Sequence, residues 1–158
     1  GAFEYPEEKP DAAKSVGETL CDLMAGNGWK KAKQWAVGAN KIAPTLVGGS
    51  KKHGGPDLGP TRAKTAWAEL GVDGKGIANE APAPDFEGMP RLTSRMMARI
   101  QGFPDTWTFG TKKTAACRMI VNAFPPPVAE AVGKKIKECL EYGCVDCGSE
   151  TPVSQKAV

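Results

Sequence analysis

Histidine is all but missing from this chain of 158 residues, with His53 the sole example, and tyrosine appears only twice. A metal site or a general base needs partners at defined spacing, and no second His or neighbouring Cys supplies them, so His53 reads as a polar loop residue and no metal is expected. Long apolar runs are also missing. Nothing approaches the roughly 18 consecutive apolar residues that span a bilayer, and no signal-peptide pattern is present, which predicts a soluble, intracellular protein with no membrane partner. The five cysteines are an odd number, suited to a reducing compartment. Cys144 and Cys147 form a lone CxxC, too little for a zinc site, and read as tail thiols. The chain starts at Gly1 in place of Met, which suggests a processed or excised piece.

Glycine and proline, by contrast, are plentiful, at 19 and 13. They concentrate between Gly48 and Pro60 and between Gly71 and Pro90, which predicts two long structured loops of the kind that carry function. The net charge of +3 conceals a block pattern: −4 over residues 1–25, +7 over 26–64, −4 over 65–90, +5 over 91–118 and −1 beyond. In the first basic block Lys30, Lys31, Lys33, Lys41, Lys51, Lys52, Arg62 and Lys64 stand against a single acid, Asp57. That asymmetry suits a surface that follows a phosphate backbone; an ordinary solvated lysine-rich face is the competing reading on charge alone.

Helical spacing of Val16, Leu20, Leu23 and Met24 predicts a first helix over residues 11–26, stopped by Gly26 and Gly28. A short helix is expected around 32–37, then a short strand over 45–47. Thr61 is the expected N-cap of a helix that buries Ala63, Ala66, Trp67 and Leu70 and ends at Gly71. Thr93 should cap a helix that runs to Gln101 and stops at Gly102. The last helix starts near Pro127, with Val128, Val132, Ile136 and Leu140 forming an apolar stripe. Beyond Gly143 the tail 144–158 lacks apolar periodicity and is expected to be mobile.

Residues 90–136 carry the densest signal: Pro90-Arg-Leu-Thr-Ser-Arg-Met-Met-Ala-Arg-Ile-Gln-Gly-Phe-Pro-Asp105, then Asn122-Ala-Phe-Pro-Pro126 leading into the last helix. This pair closely resembles the last two motifs of bacterial DNA (cytosine-5)-methyltransferases. The segment 43–64, with the Thr45-Leu46 dipeptide, resembles the variable target recognition domains of that family. The resemblance implies an α+β fold: a small irregular recognition domain of short strands and helices over residues 1–89, then C-terminal motifs over 90–143 whose helices complete the Rossmann-like fold of a partner. It further implies double-stranded DNA as a partner, with Thr45, Leu46, Ser50, Lys51, Lys52, His53, Arg62, Arg91, Arg95 and Arg99 as DNA-binding candidates. For the arginines, a role in organising the recognition domain is an equal alternative. The Gln-Gly-Phe-Pro-Asp segment reads as a turn packing Phe103 and Trp107.

The family attacks cytosine with a thiolate in a Pro-Cys-Gln motif, and Cys21, Cys117, Cys139, Cys144 and Cys147 follow Leu, Ala, Glu, Gly and Asp. The Phe-x-Gly-x-Gly cofactor loop and the Glu-Asn-Val acid are equally missing from these residues. The expectation is therefore no catalytic residue and no methyl transfer by this chain alone. S-Adenosylmethionine would be bound mainly by a catalytic chain that holds Pro-Cys-Gln, with Asn122 and Ala123 as cofactor-binding candidates here, in the bacterial cytoplasm. Several positions depart from the family pattern. Val121 stands for its Gly, Met119 for its Gln, Cys117 for a common aromatic, and Met96 for the Glu that returns a bond to the Thr93 cap. The departures keep a second reading open, a catalytically dead DNA-binding or regulatory module derived from such an enzyme.

Overall fold

A computed structural model describes residues 3–7, 13–47, 56–110 and 112–143. Six helices follow one another: α1 (Val16–Met24), α2 (Ala32–Gly38), α3 (Thr61–Ala68), α4 (Ser94–Ile100), α5 (Lys113–Asn122) and α6 (Pro126–Gly143). Among the described residues no strand forms, and the expected strand over 45–47 is extended chain without a pairing partner. The one contact of strand type is a parallel bridge between Ala78 and Thr93, so the fold is mostly helical and the α+β expectation is corrected to that extent. The chain divides into two units. The larger runs from Lys9 to Pro126; the smaller joins the N-terminal segment up to Glu8 to the chain from Pro127 onward.

In the larger unit α1 starts later than its apolar spacing suggests. Ser15 is the N-cap: its hydroxyl accepts the Glu18 N–H at 3.2 Å, and the Glu18 carboxylate accepts the Ser15 N–H at 2.8 Å. This reciprocal box satisfies two amides that have no partner inside the helix, and so fixes the start at Val16. Two more first-turn amides are met from outside, Val16 by the Lys41 carbonyl at 2.9 Å and Gly17 by the Ala39 carbonyl at 2.8 Å. The chain after α2 is thereby tied to the N-terminus of α1. Close approach depends on Gly17, because a Cβ there would lie 2.0 Å from the Ala36 carbonyl oxygen.

Val16, Leu20 and Met24 from α1 join Trp67, Leu70, Leu92, Met96, Met97 and Ile120 in one core. Each large apolar side chain withdrawn from water in this way contributes roughly 1.5–3 kcal/mol. Trp67 is fully buried, as expected from its place on the α3 stripe. The α3 cap is corrected by one residue: Pro60, extended, is the N-cap, and Thr61 is already helical. Gly71 stops the turn after α3 at φ +67°, in the left-handed region, with its α-carbon against the Trp35 indole.

Thr93 caps α4 as expected, its hydroxyl accepting the Met96 N–H at 3.2 Å, and Gly102 ends it at φ +84°. The loss of a returning bond at Met96 is corrected. The Met96 thioether sulfur accepts the Thr93 N–H at 3.4 Å, so a weak acceptor fills the place of a carboxylate and remains inside the core. Helix α5 has no counterpart among the expected elements. It has no side-chain cap, and it buries Ala116, Cys117 and Ile120. Burial pushes the Cys117 thiol pKa up, which makes it a packing residue and a poor nucleophile. In the smaller unit, α6 starts at Pro126 and carries ion pairs such as Glu130 with Lys134 at 2.6 Å.

The close crossing at Gly17 generates a paired prediction. Gly17→Ala should lower unfolding free energy by about 1–3 kcal/mol through overpacking, whereas Gly38→Ala, whose Cβ would meet nothing within 4 Å, should be neutral or slightly stabilising. Urea unfolding of the two variants checks this; equal effects would show that the α1–α2 contact does not limit stability.

Candidate nucleic-acid interface

The three arginines of the motif that starts at Pro90 make different contacts. Arg91 donates from Nε to Asp73 at 2.8 Å, which fastens the loop after α3 alongside the chain that leads to α4. Arg95 donates from Nη1 to the Trp107 carbonyl at 3.2 Å. Arg99 donates from Nη1 to both Asp22 oxygens at 2.5 and 2.7 Å and to the Thr19 carbonyl at 3.3 Å, and it pairs with Asp105 through Nη2. One guanidinium thus joins α1, α4 and the turn after α4. Hydrogen bonds from Arg99 hold the Asp22 and Asp105 carboxyls below the usual carboxylate range, and the same bonds push Arg99 further up. The turn itself packs as expected: Phe103 is buried, with the Trp107 ring 5.3 Å and the Phe109 ring 5.0 Å from its own.

The Thr45-Leu46 dipeptide is split by burial. Leu46 is a core residue at 7 % exposure, and Thr45 is presented to solvent. Both line a groove of about 540 Å³ with Gln101 and Val121, which brings the expected recognition segment next to the two C-terminal motifs. Just beyond, Val47 packs against Gly59, where an added Cβ would lie 2.9 Å from the valine Cβ. The two ends of the intervening segment therefore meet at a neck. Asp57 secures it, accepting the Gly59 N–H at 3.0 Å and pairing with Lys64 at 2.6 Å. Ser50, Lys51, Lys52 and His53 lie outside the described residues, as do Cys144 and Cys147. Arg62 is exposed on the first turn of α3 beside this neck, with no ion pair among the described residues.

The first basic block is less open than its sequence suggests. Lys30 pairs with Asp85 at 2.6 Å, Lys31 with Glu87, and Lys41 with Glu69 at 3.8 Å. These acids come from the neighbouring acidic block, so the two blocks are interleaved in space. Such exposed pairs contribute little to stability and can exchange for phosphate.

Asn122 ends α5, exposed, with its amide free of hydrogen bonds among the described residues, and Ala123 packs on the core. One exposed side-chain amide can edge a cofactor pocket and cannot form one.

The C-5 cytosine-specific DNA methylase family model matches residues 6–138. The chain belongs to the C-5 cytosine-specific DNA methylase family. It is 60% identical over 141 residues to the Type II methyltransferase M.NaeI of Lentzea aerocolonigenes, covering 87% of this chain and 34% of that protein. It is 48% identical over 142 residues to the Type II methyltransferase M.NgoMIV of Neisseria gonorrhoeae, covering 88% and 45%. A shorter stretch of 49 residues is 49% identical to DNA (cytosine-5)-methyltransferase 2 of Arabidopsis thaliana, covering 31% of this chain and 3% of that protein. No solved structure matches. The chain thus spans less than half the length of these two bacterial relatives. No helix among the described residues is long and apolar enough to cross a membrane.

The arginine clamp has a pH signature. Asp22 and Asp105 titrate lower in the folded chain than the roughly 3.9 of an unfolded aspartate, so their contribution is fully present above that value and is lost as pH falls through the folded pKa values. The urea midpoint of Arg99→Gln should fall below that of the native chain at neutral pH, with the gap narrowing in acid. A gap independent of pH would assign Arg99 to packing alone.

Proposed function

We propose that this chain is the DNA-recognition and C-terminal part of a DNA (cytosine-5)-methyltransferase, working with a catalytic part that carries Pro-Cys-Gln, the cofactor loop and the acid. One observation carries the reading. A segment 60% identical to a third of a Type II methyltransferase contains both C-terminal motifs, yet none of its five cysteines follows a proline. In the assembled enzyme the catalytic part holds S-adenosylmethionine, with Asn122 and Ala123 at its edge, and transfers the methyl group to cytosine C5. This chain selects the sequence and grips the duplex while the base leaves the stack.

Labour is divided within the chain. Residues 1–89 supply recognition, chiefly through Ser50, Lys51, Lys52 and His53 on the segment that leaves the Val47–Gly59 neck, with Thr45 and Arg62 beside it. Residues 90–143 supply the framework. Arg91 and Arg99 support that framework through their carboxylates, and Arg95 is the arginine best placed for DNA, since its hydrogen bond goes to a neutral carbonyl. Helix α6 packs on the catalytic part: Val128, Ile136 and Leu140 are 46, 48 and 67% exposed, an apolar stripe that water does not favour.

The deciding experiment supplies labelled S-adenosylmethionine and DNA of mixed sequence to this chain, with and without a polypeptide holding Pro-Cys-Gln. Methylation is expected only with both. Sequence-selective binding with no methylation in any pairing would instead mark a regulatory DNA-binding module. Within the assembly, Ile136→Lys should weaken co-purification of the two parts by at least about tenfold, the scale set by losing one well-buried apolar contact, while leaving the urea midpoint of the larger unit unchanged; undiminished co-purification would remove α6 from the interface.

A further inference from the structure

One groove, of about 580 Å³, has a lining unlike the others. It lies between the start of α4, the start of α5 and the turn that joins them. Arg95, Lys113, Trp107, Ser94, Asn79 and Phe109 face it, and none of its described lining residues is acidic. Neither cation gives a hydrogen bond to a carboxylate. Arg95 donates to the Trp107 carbonyl at 3.2 Å, and Lys113 donates from Nζ to the Ile77 carbonyl at 3.0 Å. Asp105 is 3.9 Å from Arg95 Nε, but its hydrogen bonds go to Arg99. Trp107 is 54% exposed although its ring rests on buried Phe103. An aromatic face fixed from below and open above, beside two fixed positive charges, fits a planar base next to a phosphate. Two further grooves among the described residues differ: that beside the loop after α3 sets Asp73 and Glu80 against Arg91, and that beneath Thr45 has Lys14 as its sole described cation.

We infer that this groove binds one unstacked nucleotide of DNA, with its phosphate between Arg95 and Lys113 and its base on Trp107. The inference rests on the DNA-recognition reading and extends it to Trp107 and Lys113, which the sequence motifs do not single out. Ser94 and Asn79 supply hydrogen-bond donors at the rim without demanding one base, so the site tolerates sequence. A base paired and stacked within a duplex cannot present its face to Trp107; the ligand is a single strand or a nucleotide splayed from the helix.

The test uses the whole chain, nitrogen-labelled, titrated separately with single-stranded hexathymidylate, a mixed-sequence duplex and inorganic phosphate. The single strand should shift the Trp107 indole resonance and the Ser94 and Lys113 amides saturably. Trp107→Ala and Lys113→Gln should each weaken that response about tenfold, the scale of one lost base–aromatic stack or one lost phosphate contact. Lys113→Gln leaves the ring cluster intact and so covers the case in which Trp107→Ala disturbs the turn. A silent groove, or equal shifts with phosphate alone, overturns the inference. Duplex shifts confined to the neighbourhood of Arg62 would overturn it while leaving the recognition reading standing. A groove that answers the single strand in a chain with no duplex affinity would uphold the inference and remove the recognition reading.

Discussion

The Arg99 guanidinium ties together three stretches of chain that the sequence keeps far apart. Its partners are Thr19 and Asp22 on α1, some eighty positions earlier, and Asp105 in the turn just beyond α4. Charge-assisted, bidentate contacts of this kind are the stronger class of hydrogen bond, and here the side chain is mostly shielded from water. The consequences run in both directions. Toward the N-terminus, α1 is held to α4, and α1 in turn carries α2 through the Ala39 and Lys41 carbonyls. Toward the C-terminus, the fixed turn sets Phe103 in the core, Phe103 supports Trp107, and the Trp107 carbonyl positions Arg95. A single arginine thereby governs both the body of the larger unit and the wall of its most basic groove.

Charge acts differently elsewhere. Lys30, Lys31 and Lys41 each meet an acid of the block that follows, and Lys64 meets Asp57 of its own block, so the alternating blocks read from the sequence cancel over part of the surface. Lys113 and Arg95 direct their hydrogen bonds to carbonyl groups, and the carboxylate nearest Arg95, that of Asp105, is 3.9 Å away and is hydrogen-bonded to Arg99. Folding thus concentrates free positive charge at a few places instead of spreading it along the block. Electrostatic steering depends on such a local excess of charge rather than on the total.

Much of the C-terminal half was legible because its signals are local. Thr93 ahead of an apolar run, Gly102 after it and the prolines before α6 act within a turn of the helix ends they set, and all three act as read. The Phe103–Trp107 turn was legible for the same reason. Where physics is non-local the reading fails. No spacing rule reveals that Asp22 answers Arg99, or that Glu69, Asp85 and Glu87 answer the lysines of another block. Helix α5 has neither a cap nor a wide apolar face, and depends on burial of Cys117 and Ile120. Residues 45–47 have the composition of a strand but no neighbour to pair with among the described residues, where their backbone is extended and unpaired. Met96 illustrates a subtler limit: substituting a thioether for a carboxylate looks like the loss of an acceptor, yet the sulfur reaches the same amide.

The exposed apolar residues bear on why such a chain would need another. Trp67, Leu20, Met24 and Leu58 are withdrawn from water almost completely, so the larger unit has a finished core. Along α6, Val128, Ile136 and Leu140 recur at helical spacing and remain in water, while Glu130, Lys134, Lys137 and Glu141 form ion pairs along the same helix. A helix with one charged face and one apolar face is stable when the second is covered. The larger unit leaves a polar demand instead: the Asn122 amide, at the exposed end of α5, has no hydrogen bond among the described residues. Its core asks for no further apolar cover, so the demand for such cover rests on the stripe of α6.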